Sequence, residues 1–390
     1  MDTAQEEAKQ YAQYFFDKIF HIVQEKHEIF GWPAGLQRED VTPTYMKALS
    51  NMTYRLQCHK APVKDLLVKE FGQGLLSELL DRKIDNLVSS FFGEQGVGPK
   101  VLFYNDQYRV EDFLVCSPFT QEHMQDKQTR RILTYYIQNL HRTQIPDLPN
   151  GGLMTRIVQG IDYNLLRLFN ESVEKKQDLL NPEERKKVAE IASLVTPETL
   201  AYMQNIIKED DLVASHNDFL NGNILVLPSG ELKLIDFEYT TYNFRTFDIA
   251  NFINESLFDY GVEESPYFAF FPEKRDSDEE VRDMIKYYTI LSAYPQNPDY
   301  QEAKRVVEDE AFANEQVLKF FGSQEALNAK IDGFMTLLHA GYLFSHFYWS
   351  LWSIIQAKNS PVKFDYVEFG YQRYQDFERI RKTSKRLNPQ

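Results

Sequence analysis

Four side chains between residues 216 and 236 have the types and spacing that chemistry needs. His216, Asp218 and Asn223 stand in the pattern H-x-D-x-x-x-x-N, and Asp236 closes the strand-like run Leu232 to Ile235. A carboxylate, an amide and a second carboxylate are the groups that phosphoryl transfer uses. One carboxylate orients the attacking hydroxyl and takes its proton, while the amide and the other carboxylate hold Mg²⁺ on nucleotide phosphates. A strand-like run from Asn223 to Leu227, the turn Pro228-Ser229-Gly230 and the second run predict a hairpin that brings Asp218, Asn223 and Asp236 together. H-x-D alone is common; the added Asn, the turn and a strand ending in Asp-Phe make a far more specific pattern. The alternative is a polar hairpin whose Asp and Asn only cap turns. His216 reads as a brace for the loop, since no second His or Cys stands at ligand spacing.

Glu238 follows two residues after Asp236 and is a third carboxylate in reach of the expected metal through water. Asp248, Asn251 and Glu255 fall at i, i+3 and i+7, on one face of a helix. Asp248 has a second reading, as a hydrogen-bonding support for the catalytic loop. Glu255 is a candidate to attract a cationic head group beside the aromatic residues Tyr260, Trp349, Trp352 and Phe369. Trp349 and Trp352 are i, i+3, so their rings leave one helix turn in the same direction. A quaternary ammonium has no N–H to donate, so ring faces and a nearby negative charge must recognise it. Spacing alone favours a core stripe over such a cage.

These segments resemble the choline/ethanolamine kinase family. HNDFLNGN is similar to the family's first signature, IDFEY…NFRTFDIANFINE to its second, and SHFYWSLWSIIQAKNSPVKFDYVEF, Ser345 to Phe369, to its C-terminal one. Weaker similarity runs from about Leu49 almost to the end. The resemblance implies an α+β, two-lobed protein-kinase-like fold. A small β-rich nucleotide-binding lobe with a leading helix would span 1–117, and a large, mostly helical lobe 118–390. It implies ATP and Mg²⁺ as cofactors and transfer to the hydroxyl of choline, giving phosphocholine for phospholipid synthesis.

Further roles follow from the resemblance alone. The nucleotide-covering loop would fall at Leu49–Met52, with Ser50 and Asn51 at its centre. Lys69 would contact the phosphates and pair with Asp85, where the family more often has Arg and Glu. The hinge that meets adenine would lie near Phe113 and Leu114. The aromatics match the family's choline-binding positions, with Phe369 where Tyr is more usual. Leu220 stands where choline-selective members tend to have Gln and ethanolamine-selective ones an apolar residue, whereas IDFEY is more choline-like. The reading favours choline, with ethanolamine kinase or a dual enzyme as the alternative. An antibiotic or sugar kinase is more remote, and an inactive choline-binding module is the alternative of another class. The family often forms homodimers.

Composition bounds the rest. The chain has 390 residues, 43% hydrophobic, 14% aromatic and 26% charged, enough for two lobes with their own cores. A formal net charge of −15 argues against a nucleic-acid or anionic-membrane partner. Cys58 and Cys116 form no CxxC or Cys/His cluster, which fits a reducing compartment without structural zinc. The first residues show no basic and apolar leader, so a cytoplasmic protein is expected. Phe334 to Ala357 holds no Asp, Glu, Lys or Arg, yet its histidines, Gln356 and small polar residues predict a buried helix instead of a membrane span.

The elements that must position the site are legible in outline. Residues 2–29 predict an amphipathic helix with Tyr11, Phe15, Ile19 and Ile22 on one face. Strands are expected around Tyr54–Cys58 and Asp65–Phe71, and a hairpin at Val101–Tyr104 and Tyr108–Val115 about the turn Asn105-Asp106-Gln107. A helix is expected at Asp81–Phe91 and another at Gln121–His141. Asn181-Pro182, Thr196-Pro197 and Ser277-x-x-Glu280 are helix-start signals.

Overall fold

The computed structural model describes residues 3–46, 51–72, 80–148, 164–207, 210–360 and 362–387. It divides into two compact units: Met1–Ser117 with Leu225–Glu238, and Pro118–Ile224 with Tyr239–Gln390. The stretch 225–238, expected with the second lobe, thus groups with the first.

The first unit is built on a five-stranded antiparallel sheet. Its strands are β1 (Val41–Met46), β2 (Asn51–Cys58), β3 (Leu66–Phe71), β4 (Val101–Tyr104) and β5 (Tyr108–Asp112), in the order β1-β2-β3-β5-β4. Tyr54, Leu56, Val68 and Val110 are buried in its core. β3 and β5 pair Lys69 with Arg109, which sets two cations side by side at mid-sheet. The leading segment forms two helices, Thr3–Lys18 and Phe20–Glu25, rather than one, with the break at Ile19. Phe15, Ile19 and Ile22 are buried as the periodicity predicts; Tyr11 stacks on Tyr45 at 3.8 Å between centroids. The helix Arg82–Glu94 starts at Asp81, whose carboxylate accepts from the Lys83 backbone N–H at 2.9 Å.

The returning segment 225–238 docks on this unit through backbone. Leu234 N–H donates to the Val97 carbonyl at 3.0 Å. A Cβ on Gly98 would lie 2.9 Å from the Leu234 oxygen, so only glycine allows that approach. The turn between strands Ile224–Val226 and Leu232–Leu234 uses Gly230 at φ +84, a left-handed conformation that glycine adopts freely.

The second unit is mostly helical and organised around the long helix Gln324–Gln356. From Ala340 to Leu351 every residue of this helix is buried, which explains an apolar stretch of membrane-like length. Among the described residues no helix is long and apolar enough to cross a membrane. Two other helices, Thr246–Glu255 and Tyr366–Thr383, pack closely on it, one at Gly341 and the other through Gly370. A Cβ on Gly341 would lie 2.9 Å from Ala250 Cβ, and one on Gly370 would overlap Ser353 Oγ. The expected helix Gln121–His141 is instead two, Gln121–Gln125 and Lys127–Arg142, because Asp126 turns out of helical geometry and caps the second by accepting from Thr129 N at 2.7 Å. Asn181 and Ser277 both form capping boxes, with Glu184 and Glu280.

Candidate active site

Buried polar contacts within the second unit hold the loop that carries Asp218. Strand Leu212–Ser215 pairs with Thr241–Phe244 and delivers the chain to His216. The Asp248 carboxylate, wholly buried in the helix Thr246–Glu255, accepts the backbone N–H groups of His216 and Asn217, each at 2.8 Å. It also lies 3.2 Å from His141 Nε2. Asp248 therefore supports the loop by hydrogen bonding. His216 is buried as a brace: its Nδ1 accepts from the Asp218 backbone N–H at 3.3 Å.

Asn217 is a fixture the motif reading passed over. Its φ of +66 is left-handed, a conformation asparagine tolerates better than most residues. Its Nδ2 donates to the Tyr239 carbonyl at 2.7 Å, and its Oδ1 accepts from Asn243 Nδ2 at 2.7 Å. The signal available in sequence was the Asn inside H-N-D, a residue type suited to that backbone. Beyond it, Asn223 folds back on Asp218, its Nδ2 donating to the Asp218 carboxylate at 2.8 Å and to its carbonyl at 2.9 Å. With the amide nitrogen so engaged, the oxygen of Asn223 is the atom able to face a cation. Leu220 stands between them, half-buried, at the start of the short turn Asn221–Asn223.

Asp236 and Glu238 belong to the first unit, where a second set of charges is arranged. Lys69 is buried on β3 and lies 3.5 Å from Asp236. Burial alone would pull the Lys69 ammonium down, but Asp236 and Glu111 outweigh it and hold its pKa above the usual value. The expected Lys69–Asp85 ion pair is not formed. Asp85 instead binds Arg109 at 2.7 Å and Arg82 at 3.3 Å, and Arg109 also holds Glu111 at 2.6 Å. The reason is the register: Arg109 is the cross-strand neighbour of Lys69 and competes for the same helical carboxylate with a fork that Lys lacks. Arg109 was not singled out from sequence; its signal was a charged residue inside an apolar strand.

Glu238 is likewise engaged, 2.9 Å from Arg82. Burial and then the neighbouring Asp236 push its carboxyl up to about 7, against the pull of Arg82. Asp236 sits at φ +66, in the left-handed region that aspartate, like asparagine, adopts more readily than most residues. Asn223 in the second unit and Asp236 in the first each carry a hard oxygen of the kind Mg²⁺ prefers. Of the other nucleotide-side residues, Phe113 follows β5, donates its N–H to the Asp65 carbonyl at 3.1 Å and carries Arg55 over its ring at 4.4 Å. Leu114 is half-buried beside it; Asn51 begins β2, and Ser50 lies outside the described residues.

The aromatic residues of the second unit form a continuous series. Trp349 meets Tyr239 at 5.4 Å and Trp352 at 5.3 Å; Trp352 meets Tyr366 at 5.9 Å, and Phe364 links Tyr366 to Phe369 and Tyr260. Trp349 is only 5% exposed and donates its N–H to Asn251 Oδ1 at 2.8 Å, so it buttresses the wall. Trp352 is half-buried and donates to Tyr239 OH at 3.0 Å, while Tyr260 is 37% exposed. With both indole N–H groups used internally, these rings offer π surface instead of donors. Glu255 is drawn in differently from expectation: its carboxylate is bound by Arg373 and accepts from Tyr260 OH at 2.7 Å. It is not an uncompensated negative charge.

A family model described as choline/ethanolamine kinase matches residues 44–378. A human protein named choline/ethanolamine kinase is 25% identical over 350 residues, covering 84% of this chain and 76% of the relative. A probable ethanolamine kinase of Arabidopsis thaliana is 25% identical over 304 residues, 77% of this chain and 68% of its own. Among solved structures, a choline kinase from Cryptosporidium parvum matches with a TM-score of 0.68 at 20% identity, over 94% of this chain and 95% of that one. The fold is that of the protein-kinase-like phosphotransferases.

Proposed function

The chain belongs to the choline/ethanolamine kinase family, and from that premise we propose that it transfers the γ-phosphoryl of ATP to the hydroxyl of choline, with ethanolamine the poorer substrate. Asp218 orients the hydroxyl and accepts its proton. The Asn223 amide, bonded to the Asp218 carboxylate, fixes that carboxylate's direction. Lys69 steadies the nucleotide phosphates, Arg109 and Asp85 brace its strand, and the segments at Ser50–Asn51 and Phe113–Leu114 meet the nucleotide. Asn223 and Asp236 would hold Mg²⁺, which when bound neutralises charge on the phosphoryl oxygens; Glu238, tied to Arg82, supports Asp236 from behind. The reading takes the enzyme to be a cytoplasmic homodimer whose phosphocholine enters phospholipid synthesis, on the strength of the family alone.

The observation that carries choline over ethanolamine is the aromatic series from Tyr239 through Trp352 to Phe369 and Tyr260, whose polar groups are already paired. Such a surface suits a trimethylammonium, which needs ring faces and no acceptor, better than a primary ammonium, which brings three donors. The test is ATP-dependent phosphorylation of the two alcohols side by side. A kcat/KM for choline tenfold higher, about 1.4 kcal/mol of transition-state binding, is expected. Ethanolamine preferred overturns the substrate assignment, and activity on neither overturns the kinase reading.

A further inference from the structure

Resting on that assignment of the aromatic wall, we propose that Arg373 is the positioning residue that sets head-group specificity, by keeping the Glu255 carboxylate from serving as an acceptor. Arg373 is fully buried on the helix Tyr366–Thr383, one turn after Phe369. Its Nη2 is ion-paired with Glu255 Oε1, and the other carboxylate oxygen accepts from Tyr260 OH at 2.7 Å. The guanidinium carbon stands 4.4 Å from the Phe258 ring centroid and 4.8 Å from that of Phe369. One cation thus occupies two ring faces and one carboxylate at the base of the wall.

The consequence is selective. A primary ammonium must exchange its hydrating water for acceptors, and the Glu255 carboxylate beside these rings has both oxygens committed. A quaternary ammonium, with no N–H to place, gives up only the charge attraction of a bare carboxylate by the same arrangement and keeps the ring faces. Replacing Arg373 by a neutral residue of similar length leaves Glu255 Oε1 buried without its cation, with only Oε2 still held by Tyr260 OH, and an N–H-bearing cation is then the partner that oxygen lacks.

The experiment is kcat/KM for choline and for ethanolamine in Arg373→Met, Arg373→Lys and the neutral pair Glu255→Gln/Arg373→Met. The choline-to-ethanolamine ratio is expected to fall tenfold or more in Arg373→Met and to stay near the wild-type ratio in Arg373→Lys. In the double variant, which has no carboxylate to release, the fall is abolished. A purely structural role would lower both substrates together, and an unmoved ratio overturns the proposal. Should Arg373→Met fail to fold, Glu255→Gln decides: the ratio stays within threefold if the carboxylate is already committed, whereas a tenfold rise shows that ethanolamine was using it and overturns the proposal. Wild-type enzyme inactive on both alcohols would instead sink the assignment of function on which this rests.

Discussion

Asp248→Asn separates the support of the catalytic loop from the chemistry it carries. The wild-type carboxylate takes the His216 N–H on one oxygen and the Asn217 N–H on the other, both at 2.8 Å, with His141 Nε2 at 3.2 Å from the first oxygen. Asparagine keeps one oxygen and turns an NH₂ toward whichever backbone donor faces the other. One fully buried N–H is left unpaired, at about 1–3 kcal/mol, and the surviving bond loses its ionic strengthening. The sum is about 2–4 kcal/mol. The loop holding Asp218 should loosen accordingly, and displacement of a reacting group by about an ångström costs roughly 10²-fold in rate. Urea unfolding and kcat at saturating substrates measure the two effects. Both should fall together. A kcat within threefold of wild type with an unmoved midpoint refutes the reasoning. So does a lost kcat with full stability, because Asp248 would then act in the chemistry itself.

Two further outcomes follow from buried charge. Lys176 donates to the carbonyls of Ile354 and Ile355, at 2.8 and 2.7 Å, in the last turn of the long helix, and burial draws its pKa down to about 8. Lys176→Met should cost about 1–3 kcal/mol at pH 7 by urea unfolding. Between pH 8 and 10 the unfolded chain keeps the proton that folded Lys176 has lost, so wild type gains on the variant and the gap widens; a narrowing gap would contradict this. Glu238 has the opposite sign. Its folded pKa of about 7 exceeds the unfolded value, so its stabilising contribution is present at low pH and fades as pH rises toward 7. Wild type should therefore lose stability relative to Glu238→Gln from about pH 5 to 7.5, and parallel curves would show that the carboxyl is not perturbed.

What could be read from the sequence divides along a physical line. Features written within a few residues were legible: the capping boxes at Asn181 and Ser277, the turn at Gly230, the burial of Phe15, Ile19 and Ile22, and the order His216, Asp218, Asn223 with its loop. Local signals also explain one miss, since Asp126 is a good N-cap inside an otherwise helical pattern and splits the helix it was read into. Pairings between distant residues were not legible, because a charge does not name its partner. Lys69 and Asp85 had suitable types, yet the register of β3 on β5 put Arg109 beside Lys69 and gave it the carboxylate. No periodicity in either strand reports that register, which depends on both strands at once.

Glu255 makes the same point at the substrate side, with a functional consequence. Its helical face could be inferred from spacing and its aromatic neighbours from the family resemblance, and together they suggested a bare negative charge waiting for a cation. Arg373, far along the chain and not singled out from sequence, is wholly buried and cancels it. On the proposed reading, a wall whose carboxylate is internally neutralised draws its selectivity from ring faces and from the absence of a competing acceptor. Discrimination between choline and ethanolamine is then a matter of what the pocket withholds as much as what it offers. On that argument single substitutions of the rings should weaken both alcohols, whereas removing Arg373 should change their ratio.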